Sequence, residues 1–450
     1  MTEVDRGEVG YILMGYPRLS ETFISNEIHL LETMGMKLQL YAVKHGGEPA
    51  VNSVIAKIEA QPHYLPKVTS VSKTRLLSWL GTNFPKFTRH HWRLLRARPG
   101  AYLATLGVAL GMCWQYRESA WSKPKKVYIK EFVQAGYIAA EILSSGQIRH
   151  LHGHFCHGVA NITWFVSRMT GIAFSFTAHA KDIYQLRWNP KDLLERKLDA
   201  ARFVATCTAA NQAYLDRRHP ERGKVHTIYH GLDTEMFSPA AGTGDQAAMP
   251  QAATPVILSV GRFVEKKGFN YLVEACAQLQ REQIDFKCRI VGERGDERDD
   301  RFDQIENLVM AHNLQGKVNL QGAVTQEELR SIYRQASLFV LPCQVNSDGD
   351  RDGIPNVLVE AMAMGVPIVS TPISGIPELV DDGIDGVLVP ERNAAALADA
   401  MKGLLADAPR RERLKAAARR KVCRDFSSHV TTRALRDLFA ESIAACEAVR

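Results

Sequence analysis

The chain has 450 residues, 46% of them hydrophobic and 23% charged, with a formal net charge of +7. That length exceeds what one core fills, so two domains are expected of an ordinary soluble globular chain. Eight scattered cysteines (113, 156, 207, 276, 288, 343, 423 and 446) form no C-x-x-C pair, which argues for reduced thiols and against a zinc site or disulfide frame.

The opening MTEVDRGEVGYILMGYP is acidic and then briefly apolar, without a basic leader or cleavage site, so no signal peptide is expected. The apolar run AYLATLGVALGMCW falls short of the ~18 residues a membrane span needs. The predicted location is cytoplasmic. EVGYILM (8–14) and KLQLYAV (37–43) read as strands flanking a helix with Phe23, Ile24, Ile28, Leu31 and Met34 at helical spacing. Ser20 is its candidate N-cap and Gly35 its stop.

Residues 60–130 hold 13 lysines and arginines against Glu118 alone, a net +12, so the rest of the chain sums to −5. Trp79, Phe84, Phe87, Trp92, Tyr102, Trp114 and Trp121 are interleaved with them. Basic and aromatic residues together suit an anionic membrane surface or a phosphate-rich ligand; the competing reading is a solvated helical face over core aromatics. No recognition-helix or RNA-binding signature accompanies the patch, so nucleic acid is not an expected partner.

Four further apolar runs follow: IRHLHGHF (148–155), AFSFTAH (173–179), ARFVATCT (201–208) and KVHTIYHG (224–231). Ala, Gly, Gln and Pro between 240 and 254 read as a linker. The alternation then restarts at PVILSVGR (255–262) and continues through FKCRIVGE, KVNLQGA, SLFVLPC, PIVSTP and GVLVPE. Short strands alternating with helices imply an α/β chain of two Rossmann-like, doubly wound parallel-sheet domains. A cleft between them would receive ligands at the carboxyl ends of the strands. The expected division is 1–239, a linker at 240–254, and 255–424, with an amphipathic helix at 425–450 returning to the first domain.

DGDRDGIPNVLVEAMAMG (348–365) admits three chemistries: a calcium loop, a metal-binding D-x-D, or an anion-binding helix start. Calcium fails on counting, because the twelfth position is Val359 and Glu360 comes one residue late. A helix over about 355–364 fits better, with Pro355 at its first position and Gly365 just past its end. Its N–H groups, with Gly353 allowing close approach, would suit a diphosphate. Asp352 and Glu360 could then accept hydrogen bonds from vicinal hydroxyls; the alternative is a dipole-complementing aspartate and a solvated glutamate. Asp348 and Asp350 read as loop charge.

In SVGRFVEKKGFNYL (259–272) a strand ends at Gly261, and Arg262 and Lys267 precede a helix. Two cations at such a turn can neutralise a departing diphosphate without a metal. FTAHAKDIY (176–184) puts His179 and Asp182 at the end of an apolar strand, where a histidine is a candidate for substrate contact or a structural group. HLHGHFCH (150–157) alternates histidines on one strand face, with His154 nearest the strand end. A metal site is conceivable there, but no Asp, Glu or Cys constellation completes it apart from Cys156, so none is predicted.

Taken in order, FTAHAKDI, KVHTIYHGLDTEMF, ILSVGRFVEKKGF, RIVGERGDE, VNLQGAVTQEELRSIYRQASLFVLPC and DGIPNVLVEAMAMGVPIVSTPISGIPELVDDGIDGVLV resemble the retaining glycosyltransferases of family 4. The resemblance implies the GT-B fold and transfer from a nucleotide-diphosphate sugar, a UDP- or GDP-sugar, with no metal or other cofactor. By that resemblance Arg262 and Lys267 bind the donor diphosphate. Gly353, Ile354, Pro355 and Asn356 meet phosphate and sugar, Glu360 the ribose, Val324 the base, and His179 the transferred sugar. Asp352 occupies the first position of the family's paired glutamates and reaches roughly one methylene, about 1.5 Å, less far.

YPRLSETFISNEIHLLE and the pair HLHGHF/FSFTAHAKDIY look like the exopolysaccharide branch, whose members build on a lipid carrier. A glycan or polyprenyl-diphosphate-linked acceptor is thereby implied, with residues 75–130 against the inner face of an anionic membrane. The family's Gly-Gly loop reads GYPRLSE here, so Arg18, Ser20 and Glu21 stand in on the acceptor side with His154 and Asp182. The rival readings are a phosphorylase of the same fold and a non-catalytic sugar-nucleotide-binding subunit of a polysaccharide assembly complex.

Overall fold

The computed structural model describes residues 7–18, 21–46, 54–119, 121–185, 187–219, 223–239, 254–294 and 300–447. The chain forms two compact units, one of Met1–Cys207, Gln212–Ile228 and Thr432–Arg450, the other of Thr208–Asn211 and Tyr229–Thr431.

The first unit is built on seven parallel strands: β1 (Glu8–Tyr16), β2 (Leu38–His45), β3 (Pro62–Tyr64), β4 (Ile148–His154), β5 (Phe174–Ala178), β6 (Phe203–Thr206) and β7 (Val225–Thr227). Their order is β3-β2-β1-β4-β5-β6-β7. β5 is buried along its whole length, as expected of an inner parallel strand with helices on both faces. The second unit repeats the plan with β8 (Val256–Val260), β9 (Lys287–Val291), β10 (Val318–Gln321), β11 (Leu338–Leu341), β12 (Ile368–Ser370) and β13 (Val387–Leu388). Their order is β10-β9-β8-β11-β12-β13.

In both sheets the winding reverses between two neighbouring strands, β1 and β4 in the first, β8 and β11 in the second. Loops leaving such a pair diverge to opposite faces and open a crevice at the carboxyl ends. Gly268 shows how tightly the second crevice is drawn: its φ is +66°, and a Cβ there would lie 2.0 Å from the Pro342 carbonyl oxygen. Only glycine lets the loop after β8 meet the loop after β11 this closely.

The units divide at 228/229 instead of the expected 239/240, and the returning segment starts at 432 instead of 425. Residues 229–239 join the second unit because Leu232 N–H donates to Phe426 O and Tyr229 packs on Phe426. The expected linker, 240–254, lies outside the described residues apart from Thr254. The last helix spans Ser428–Glu447, and its Leu435 and Phe439 are buried against β1, β2 and β6. β3 was not foreseen: its three residues carry no apolar run.

Candidate active site

After β8 the chain makes a single 3-10 turn (Glu265–Lys267) before helix Phe269–Arg281. Gln344, just beyond β11, pins this turn: its N–H donates to Lys266 O and its side-chain amide to Glu265 O, both at 2.9 Å. The two lysines are thereby aimed at the Asp352 loop. Lys267 Nζ lies 2.7 Å from Asp352 Oδ2, and Lys266 Nζ lies 3.2 Å from Asp352 Oδ1 and 3.3 Å from Asp350 Oδ1. Burial pushes the Asp352 carboxyl up, but the two ammonium groups outweigh it and hold the group at about 2. Burial likewise works against a charged Lys267, and Asp352 more than restores it. Both partners are therefore ionised at neutral pH.

Arg262 stands at the same strand end with its side chain exposed. Among the described residues no carboxylate lies within ion-pair distance of it. Lys266 and Lys267 are paired with Asp350 and Asp352, and Arg262 stands outside those pairs.

Helix Asn356–Ala363 starts one residue later than the sequence suggests and ends one earlier. Pro355, expected as the first helical residue, is the cap: its ψ is 123° while its carbonyl accepts from Leu358 N–H. At the other end Gly365 takes a φ of +69°, its N–H donating to Met362 O and that of Val366 to Ala361 O. This closing motif satisfies the last carbonyls. Gly353 and Ile354 are half-buried and Asn356 is exposed ahead of the helix N–H groups.

Glu360 is not a solvated surface group. It is half-buried, and Tyr333 Oη donates to its Oε2 at 3.0 Å. Burial pushes its carboxyl up to about 7, with the tyrosine bond pulling back. Val324 is partly buried against the core, next to Thr325, which closes a capping box with Glu328.

Sequence reasoning missed three members of this site. Lys266, the neighbour of Lys267, shares Asp352 with it. Tyr333, on helix Gln326–Gln335, was not singled out in the sequence. Asp350, read as loop charge, is the partner of Lys266, while Asp348 does hold the loop, accepting from Asp350 N–H at 2.9 Å.

In the first unit His150, His152 and His154 all face inward from β4 and are buried. They form a ladder. His150 pairs with Ser175 Oγ at 2.7 Å and Ser442 Oγ at 2.9 Å, and His152 with Ser175 Oγ and Thr177 Oγ1. His154 Nε2 lies 2.8 Å from Glu27 Oε1, which also accepts from Tyr11. Burial holds His150 down at about 3 and His152 well below its usual range, so both are neutral. Glu27, His152 and His154 have ligand-type atoms within 4.8 Å of one another, but each is already committed to these hydrogen bonds.

His179 follows β5, its ring 5.5 Å from Phe23 and 4.6 Å from Phe155. Phe155 is held at φ +80°, a conformation found mainly where surrounding structure enforces it. Asp182 is buried beneath both. It accepts from Cys156 N–H at 2.5 Å and His179 N–H at 2.8 Å, with His157 Nδ1 at 3.4 Å. Its side chain thus positions the loop instead of facing a ligand. Arg18 pairs with Glu21 at 2.9 Å, and Ser20 lies outside the described residues.

Residues 247–421 match the family model described as glycosyl transferases group 1. The chain is 30% identical over 437 residues to the putative colanic acid biosynthesis glycosyltransferase WcaL of Escherichia coli K12, covering 96% of this chain and 99% of that protein. It is 37% identical over 442 residues to the amylovoran biosynthesis glycosyltransferase AmsK of Erwinia amylovora, covering 95% and 98%. In fold it resembles a glycosyltransferase from Rickettsia africae, with a TM-score of 0.68 at 17% identity over 97% of this chain and 99% of that one. The lipopolysaccharide glycosyltransferase WaaG gives 0.60 at 14% identity, over 96% and 99%. The two parallel-sheet units are those of the GT-B fold.

Proposed function

The chain belongs to the group 1 glycosyl transferases, and from that premise we propose that it moves a sugar from a nucleoside-diphosphate sugar to a glycan on a polyprenyl-diphosphate carrier, with retention of anomeric configuration. The observation that carries this is the cation set at the β8/β11 crevice: Lys266 and Lys267 meet Asp352 just ahead of helix Asn356–Ala363, and Arg262 is exposed at the same strand end. Cations and helix N–H groups together suit a diphosphate and stabilise it as it departs. They supply the positive charge that a divalent ion supplies in other transferases, so the reading is metal-independent. Likeness over nearly the whole chain to a colanic acid and an amylovoran biosynthesis glycosyltransferase supports the same pathway class.

In this reading the donor's phosphate replaces Asp352 as the partner of Lys267, and Asp352 keeps that lysine charged and oriented until then. Gly353, Ile354, Pro355 and Asn356 bring backbone to phosphate and sugar. Val324 lies along the base and Glu360 accepts from ribose hydroxyls. In the first unit His179 approaches the transferred sugar, with Arg18 and Glu21 on the acceptor side; His154, expected there too, is buried against Glu27 instead. The bond from the anomeric carbon to the phosphate oxygen breaks as the acceptor oxygen bonds to the same face. The acceptor's proton passes to the departing diphosphate. The carrier places the protein at the inner face of the cell membrane, with residues 75–130 toward an anionic surface.

The test is donor binding. A matching nucleoside-diphosphate sugar at 100 times its dissociation constant should stabilise the chain by about 2.7 kcal/mol in thermal unfolding. A flat response across UDP-, GDP-, ADP- and dTDP-sugars would overturn the reading. Glu360 makes that binding pH-dependent. Hydroxyl donors favour the carboxylate, and the free carboxyl titrates at about 7, so affinity should rise with pH by up to about tenfold per unit below that value and then level off. Glu360→Gln should bind more weakly and lose the dependence.

A further inference from the structure

Helix Pro99–Gln115 has no charged residue, and its outward face is apolar or small as far as its last residue, Gln115: Leu103, Ala104, Gly107, Leu110, Gly111 and Trp114 are all exposed. The opposite face packs on helices Val127–Ser145 and Val159–Thr170. A Cβ added at Gly100, Gly107 or Gly111 would meet nothing within 4 Å, so this face has no covering element in its own unit. At about 25 Å the helix is too short to span a bilayer, and no helix among the described residues is long and apolar enough to cross one.

Its neighbours extend the surface. Trp121 is 97% exposed and Leu77 84%. The loop carrying Trp121 is tied to helix Pro99–Gln115 by Lys125 N–H, which donates to Cys113 O at 2.9 Å, and to the turn before Leu77 by Lys126 Nζ, which donates to Thr74 O at 2.6 Å. The preceding helix, Thr88–Ala97, exposes Arg89, Arg93 and Arg96, with the Arg96 guanidinium 5.2 Å from the Trp92 ring centre. The far end of the apolar helix reaches the loop beneath His157: Lys191 Nζ donates to Gln115 O at 2.5 Å, and His157 lies 4.8 Å from Trp188.

We propose that helix Pro99–Gln115 lies flat in the headgroup layer of an anionic bilayer, with Leu103, Leu110 and Trp114 inserted, Leu77 and Trp121 as flanking anchors, and the arginines of helix Thr88–Ala97 against lipid phosphates. An apolar helical face rimmed by cations is what an interfacial helix presents, and tryptophan prefers that depth. A second copy of the chain is the less suitable occupant. Residues 60–130 carry a net +12, and pairing the surface with itself would set like charges face to face. Docking so placed brings a membrane-borne acceptor to the loop that carries His157 and, through Asp182, positions His179. The inference deepens the carrier-borne acceptor reading and rests on it for its purpose alone.

The test uses the full chain with no donor present, sedimented with vesicles of phosphatidylglycerol and phosphatidylethanolamine. Binding is expected to the anionic vesicles, to fall steeply toward about 1 M salt where the screening length is about 3 Å, and to be much weaker on phosphatidylcholine. Leu110→Ser with Trp114→Ser should cut partitioning on the order of a hundredfold. Arg89→Ser with Arg96→Ser should cut it about thirtyfold. All four side chains are exposed, so melting temperatures should hold. No binding, or binding unchanged in both double variants, overturns the proposal. So does a dimer that Leu110→Ser with Trp114→Ser dissolves while vesicles are ignored. Vesicle binding without response to any nucleoside-diphosphate sugar would leave this inference standing and remove the transfer reading.

Discussion

Arg262→Ala should lower kcat/KM for sugar transfer by about 10²–10³ while the melting temperature stays unchanged. The side chain is exposed, so its removal costs the fold nothing measurable. Among the described residues no carboxylate lies within ion-pair distance of it. Removing one donor aimed at developing negative charge in an acyl-transfer site costs about 2.7–4 kcal/mol, and the departing diphosphate poses the same electrostatic problem. Because that charge grows as the bond breaks, the loss should fall on kcat as well as KM. Lys267→Ala should lose at least as much activity but also some stability, since it leaves Asp352 with Lys266 alone. The contrast separates a group that acts on the ligand from one that also holds the loop. Near-normal turnover in Arg262→Ala would remove it from the donor site.

Lys197→Met is expected to destabilise the first unit more than any other single change named here. Lys197 is fully buried, donating to Cys156 O and Asn189 Oδ1 within the fields of Glu131 and Asp182. Burial lowers its pKa, with the Cys156 thiol and both carboxylates opposing. Methionine fills the same space but strands two acceptors and leaves the carboxylates uncompensated, which typically costs 3–5 kcal/mol, about 10 °C in melting temperature. Glu131, already pushed up to about 7 by burial, should then titrate higher still. A shift below about 2 °C would mean that the ammonium contributes little to this core.

The two sheets were legible because inner parallel strands are apolar on both faces, as in VILSV and LFVL, and because helices fall regularly between them. The Gly365 stop was legible because a positive φ after a helix favours glycine. What escaped was everything that depends on partners distant in sequence. Lys266 meets Asp350 from 84 residues away, and Tyr333 reaches Glu360 from 27. A doublet of lysines looks alike whether one or both are aimed at a site. The histidine alternation on β4 was visible, but its meaning needed Ser442, 292 residues from His150. With that hydroxyl and those of Ser175 and Thr177 in place, three histidines become a buried ladder. Asp182 was likewise visible as a strand-end carboxylate, and only the fold shows it turned inward to the backbone of Cys156 and His179.

The central claim is retaining transfer from a nucleoside-diphosphate sugar held by the β8/β11 crevice. The most direct measurement is the proton NMR signal of the anomeric position during turnover of the donor that stabilises the chain, run in the presence of a chelator. The account predicts a first-formed product with the donor's own anomeric configuration, at a rate the chelator does not change. A product of inverted configuration would contradict it.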